Sequence, residues 1–124
     1  MKEITKAQED ILRAIWEIQE GAVSDVLERL PEPKPAYNTV ATVIKVLEHK
    51  GYISHKTFGK THVYFPLVTK SAYAQHLLKN TMKGYFNGSV NQMVSAFVKN
   101  KEISLKELEE LKNLLETEIN KKNH

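Results

Sequence analysis

The sequence predicts a mainly α fold of the α+β class, with several helices and one small β-hairpin. Three observations carry that expectation. Apolar residues recur at helical spacing through most of the 124 residues. Only from Tyr52 to Phe65 does the period shorten to two, the repeat of a strand. Three stretches open with Ser or Thr followed three positions later by Gln or Glu, the pattern of a capped helix start.

Each element follows in order. Thr5-Lys6-Ala7-Gln8 is the first capping box, and Ile11, Leu12, Ile15 and Trp16 then share one helix face. Gly21 is a natural stop, so the first helix is expected from Thr5 to Glu20. Ser24 reads as the cap of a short second helix that turns Val26, Leu27 and Leu30 inward. Pro31, Pro33 and Pro35 cannot continue it and make a stiff linker.

The third helix is expected from Tyr37 to Lys50. Val40, Val43, Ile44 and Leu47 form its apolar stripe. Its other face carries Asn38, Ala41, Thr42 and Lys45, with Thr39 and His49 beside them. A merely solvated face is more often rich in Glu and Lys. Tyr52–Thr57, the turn Phe58-Gly59-Lys60, and Thr61–Phe65 then read as a hairpin with a basic tip, closed by Pro66.

Thr69 to about Phe86 is expected to be helical, and Asn87-Gly88 is a turn. Ser89-Val90-Asn91-Gln92 caps a helix bearing Met93, Val94, Phe97 and Val98. Ser104-Leu105-Lys106-Glu107 caps a last one bearing Leu105, Leu108, Leu111, Leu114, Leu115 and Ile119. The polar tail 120–124 is expected to fray.

Composition excludes several classes. Cysteine is absent, so there is no disulfide framework, thiolate metal site or cysteine nucleophile. No apolar run approaches the roughly 20 residues that span a bilayer, and the first residues lack a signal peptide's apolar stretch. A cytoplasmic protein is expected. No Gly-rich phosphate loop, H-E-x-x-H or nucleophile elbow occurs. Asp10 and Asp25 are the only aspartates, both at helix starts. No catalytic activity, cofactor or small-molecule substrate is therefore expected. His49, His55 and His62 span a helix end and two strands, and read as surface histidines in place of a metal site.

Charge is unevenly spread. Residues 1–33 hold four basic and eight acidic side chains, whereas residues 34–62 hold five lysines and one glutamate. A basic segment of this kind is the electrostatic footprint of a nucleic-acid contact. Helix, short helix, helix, hairpin is also the order of a winged helix-turn-helix, whose third helix enters the major groove. This points to duplex DNA as partner, with Tyr37, Asn38, Thr39, Ala41, Thr42 and Lys45 on the reading helix and Lys56 and Lys60 on the wing. The alternative is a winged helix that binds protein without specific DNA binding. Residues 1–68 form the expected DNA-binding domain. Residues 69–124 form a helical domain with more apolar side chains than so short a piece can bury alone. Met93, Val94, Phe97, Val98, Leu108, Leu111, Leu115 and Ile119 are expected to dimerise.

The stretch from Ala36 to Ile53, AYNTVATVIKVLEHKGYI, resembles the recognition-helix segment of the penicillinase-repressor (BlaI/MecI/CopY) family. Ile4 to Leu12 with Trp16 resembles that family's first helix, and Gly59-Lys60 with Tyr64-Phe65-Pro66 its wing. Phe86-Asn87-Gly88-Ser89 and Ser104 to Leu108 resemble its C-terminal helices. The resemblance implies a homodimeric repressor that binds a dyad-symmetric operator. It further implies a membrane-bound sensor metalloprotease as partner, cutting the C-terminal part near Ala96 and Phe97. Two positions depart from the pattern. Ala41 stands where some members have arginine on the reading face, and Ala96 where β-lactam-responsive members have asparagine. Copper-responsive members carry cysteine motifs near the C-terminus, which this chain lacks.

Overall fold

The computed structural model describes residues 1–123, in the element order the sequence predicts. The elements are α1 (Lys6–Ile18), α2 (Val23–Arg29), α3 (Tyr37–His49), β1 (Ile53–Phe58), β2 (Thr61–Pro66), α4 (Lys70–Tyr85), α5 (Val90–Lys99) and α6 (Leu105–Lys122). The chain forms two compact units, Met1–Leu77 and the part from Leu78 onward. Among the described residues no helix is long and apolar enough to cross a membrane.

In the first unit, α1 starts at its capping box. The Gln8 N–H donates to Thr5 Oγ1 at 3.2 Å, and the Thr5 N–H donates to Gln8 Oε1 at 3.0 Å. Leu12 and Ile15 from α1, Val26 from α2, and Val40, Ile44 and Leu47 from α3 meet in a core that excludes water. Each such side chain stabilises the fold by roughly 1.5–3 kcal/mol. Trp16 is half-buried against this core, and its ring N–H donates to the Val68 carbonyl at 2.9 Å. Tyr73 from α4 stacks near Trp16 and edge-on to Tyr52, with centroids 5.8 and 6.0 Å away.

Two sequence expectations fail locally. Ser24 is not the cap of α2. The helix starts two residues earlier than a Ser24 cap would place it, Ala22 is its N-cap, and the Asp25 carboxylate accepts the Ala22 N–H at 2.8 Å. An ionised carboxylate near the start of a helix also suits its dipole, so Asp25 prevails over the neutral hydroxyl. Nor does Gly21 end α1. The left-handed residue there is Gln19, at φ 69°. Gly21 is needed for close approach, because its N–H and C=O exchange hydrogen bonds with Tyr64 of β2 at 3.0 and 2.8 Å. A Cβ there would stand 2.7 Å from Ile18 Cδ1 and 2.9 Å from Asp25 Cβ. This glycine ties the hairpin to the helices.

The hairpin pairs antiparallel, from Ile53 opposite Pro66 to Phe58 opposite Thr61. Gly59, at φ 61°, opens its two-residue turn. In the second unit, Ser89 and Ser104 each cap a helix through an N–H three residues on. No residue from 78 to 123 is fully buried. Leu78, Thr81, Phe86, Met93, Ala96 and Phe97 line an open apolar cavity of about 400 Å³. α6 runs through the first residues of the polar tail to Lys122, and His124 lies outside the described residues.

Candidate nucleic-acid interface

The stretch that forms α3 follows the three prolines, and burial of Val40, Ile44 and Leu47 fixes its rotation. A period of 3.6 then sends Asn38, Thr42, Lys45 and His49 to the opposite side, and all four are exposed. Thr39 is exposed as well, Tyr37 is 52% exposed at the first turn, and Ala41 is half-buried. The Thr42 hydroxyl donates to the Asn38 carbonyl at 2.9 Å. With its proton committed there, the exposed hydroxyl oxygen keeps acceptor capacity, which suits the amino group of adenine or cytosine.

Sequence reasoning missed one feature of this helix. Its N-cap, Ala36, has no side-chain hydrogen bond, whereas Thr5, Ser89 and Ser104 cap theirs. The first N–H groups of α3 are left for an outside acceptor, and an anion is favoured there. The signal was Ala at a position that usually holds Ser, Thr, Asp or Asn.

Strand alternation gives the wing two faces. His55, Thr57, His62 and the buried Tyr64 share the face toward α3, where His55 Nδ1 lies 2.5 Å from Glu48 Oε2. Burial raises the Tyr64 phenol above its ordinary pKa, and the nearby Glu48 charge and Tyr37 add to this, so Tyr64 stays neutral. Lys56 lies on the other face. Its Nζ is 3.4 Å from Glu20 Oε2 and 5.4 Å from the centre of the Phe65 ring. Lys60 stands exposed in the turn.

The five lysines of the basic segment therefore have different tasks. Lys34 Nζ donates to the carbonyls of Leu27, Glu28 and Leu30, and so caps the C-terminal end of α2. Lys50 Nζ donates to the Glu3 carbonyl and to Gln8 Oε1, pinning the N-terminal segment. Lys56 pairs with Glu20. Lys45 and Lys60 have no hydrogen bond or ion pair among the described residues, and so are available to phosphates. The structure thus gathers Tyr37, Asn38, Thr39, Ala41, Thr42 and Lys45 on one helix, sets Lys60 at the tip of the same unit, and holds Lys56 apart.

The residues expected to dimerise lie in the second unit. Met93, Val94 and Leu111 are half-buried, while Phe97, Val98, Leu108 and Leu115 are exposed. Ile119 is exposed too, and with Leu108, Leu111 and Leu115 it forms a stripe along α6. Ala96 and Phe97 sit inside α5, with the Ala96 carbonyl accepting the Asn100 N–H at 3.2 Å. Among the described residues, no group of three or more His, Cys, Asp or Glu is placed to hold a metal.

A family model described as Penicillinase repressor matches residues 4–117. The Penicillinase repressor of Bacillus licheniformis is 27% identical over 121 residues, covering 97% of this chain and 94% of its own. Methicillin resistance regulatory protein MecI of Staphylococcus aureus (strain N315) is 31% identical over 114 residues, covering 91% and 93%. Among solved structures, that of the CopR repressor aligns with 54% of this chain and 99% of its own, at 28% identity and a TM-score of 0.46.

Proposed function

The chain belongs to the penicillinase repressor family and is a transcriptional repressor, not an enzyme; from that premise we propose that it acts as a homodimer, placing α3 in the major groove of each half of a dyad-symmetric operator. The observation that carries this reading is the exposed stripe of α3, which joins hydrogen-bonding side chains and Lys45 to an uncapped helix start. Asn38 and Thr42 read base edges in this arrangement, while Tyr37, Thr39, Lys45 and Lys60 meet the backbone. Ala41 leaves room for a thymine methyl. Lys56 reaches a phosphate only by leaving Glu20.

The exposed apolar stripes of α5 and α6 support dimerisation through residues 69–124, since surfaces of that kind mark an interface. The protein works in the cytoplasm on this reading. A membrane-bound sensor metalloprotease ends repression by cutting near Ala96 and Phe97. That bond lies within a helix, so cleavage draws on a locally opened α5.

The test is the salt dependence of binding to a duplex selected from a random pool. Replacing Lys45 or Lys60 with Ala is expected to flatten the slope of log K against log salt by about one per half-site. Lys34→Ala and Lys50→Ala are expected to lower stability and leave the slope alone, and Lys56→Ala to change it less than Lys60→Ala. Asn38→Ala or Thr42→Ala is expected to relax sequence preference, by roughly 1–3 kcal/mol per lost base contact. Equal slopes for all five lysine variants would show that the docking face is misplaced.

A further inference from the structure

We propose that Glu48, His55 and His62 form a proton-dependent phosphate contact, so that binding duplex DNA takes up protons at this corner of α3 and the wing. The inference rests on the docking proposed above and adds a site to it.

The three residues stand seven positions apart from one to the next, and the turn after α3 and the hairpin register bring their side chains together. His55 faces Tyr64 across the strands and Thr57 faces His62, which sets the two imidazole rings 4.4 Å apart between centroids. His55 Nδ1 lies 2.5 Å from Glu48 Oε2 on the last turn of α3, and both side chains remain about a third exposed, 32% and 30%. His62 Nδ1 lies 3.0 Å from the Thr57 hydroxyl. Tyr64 on β2, which stays neutral, has its ring 5.4 Å from that of His55 and 6.3 Å from that of His62, and Tyr37 on α3 lies near Tyr64. Lys45 and His49 are the other titratable residues on the same part of α3 as Glu48. Lys56 and its partner Glu20 lie across the other face of the wing.

Glu48 is the only carboxylate between residues 34 and 69. On a surface that meets phosphates, a lone carboxylate repels the ligand. With His55 neutral, its Nδ1–H donates to Glu48 and the pair carries one negative charge. A second proton, on Nε2, cancels that charge and turns the outward edge of the ring into a donor. His62 beside it supplies a second such donor. Two protonated rings at this distance repel each other in the free protein, and a phosphate across both removes that penalty. The DNA-bound form therefore holds more protons than the free form. By reciprocity, affinity for duplex rises as pH falls through the range where imidazole changes charge.

The experiment measures affinity of the full-length protein for a labelled selected duplex at fixed ionic strength, from about pH 8 to about pH 6. The expected result is a gain of roughly 10-fold per pH unit for each proton taken up. His55→Gln and His62→Gln are each expected to flatten the profile. Glu48→Gln is expected to strengthen binding at the alkaline end and flatten it as well. His49→Gln separates the contribution of the α3 imidazole, and most of the slope is expected to survive it. Thermal unfolding of each variant, at each pH used, checks that the fold is intact. A wild-type profile that is flat while salt-dependent binding persists overturns this inference and leaves the docking intact. So does a slope that the His55 and His62 variants keep, or that His49→Gln alone abolishes. No binding to duplex at any pH overturns both.

Discussion

A chain that stops at Ala96 is expected to sediment as a monomer and to lose operator affinity by a factor of roughly 10²–10⁴. The fully buried core runs from Ile11 to Tyr73, so the winged helix keeps its packing when the C-terminal residues are gone. The loss falls on α5 and α6, where Phe97, Val98, Leu108, Leu115 and Ile119 stand in the open on a single chain. Buried against a second copy, each would contribute roughly 1.5–3 kcal/mol, enough in sum to hold two chains together. A monomer grips one half-site. A dimer grips two, about 34–36 Å apart, and the second contact is made at high effective concentration. Sedimentation velocity and a gel shift on the same preparation give both readouts. A dimeric truncated chain with undiminished binding would move the dimer interface elsewhere and remove the basis for a proteolytic switch.

Ile44→Ala is expected to destabilise the first unit by about 2–5 kcal/mol. Ile44 is wholly excluded from solvent, on the face of α3 that packs toward α1 and α2. A domain of this size has only about 5–15 kcal/mol in hand, so the change removes a large share of it. Urea denaturation measures the loss directly. Operator binding at moderate temperature is expected to fall with the folded fraction, while the salt slope of the folded protein stays unchanged. This separates a residue that holds the reading helix in place from one that touches DNA. Thr42→Ala gives the opposite pattern, with little change in stability and relaxed sequence preference. Equal stability of Ile44→Ala and the parent would contradict the packing of α3.

What was legible in the sequence was local. The capping boxes at Thr5 and Ser104 place two helix starts because the partners are three residues apart. The alternation from Tyr52 to Phe65 gives the hairpin, and the spacing of Val40, Ile44 and Leu47 gives the rotation of α3 and with it the exposed stripe. What was not legible depended on tertiary partners. Lys50 is tied to Glu3, and Lys56 to Glu20, across 47 and 36 residues. A charge count treats these lysines as equal to Lys45 and Lys60, although their charges are committed elsewhere. His55 and His62 read as scattered because strand register, not sequence spacing, sets them side by side. Gly21 read as a helix stop because its contact with Tyr64 lies in a distant part of the chain.

On the proposed docking, α3 and the α3-facing side of the wing are the surface that meets DNA. Backbone amide chemical shifts of isotope-labelled protein, followed as a selected duplex is titrated in, test it residue by residue. The largest changes are expected at Tyr37–His49, with the uncapped amides of Tyr37, Asn38 and Thr39 foremost, and at Thr57–His62. Changes on the Lys56–Glu20 side are expected to be small. Shifts confined to residues 78–123, or spread over α1 and α2 with α3 silent, would contradict the account.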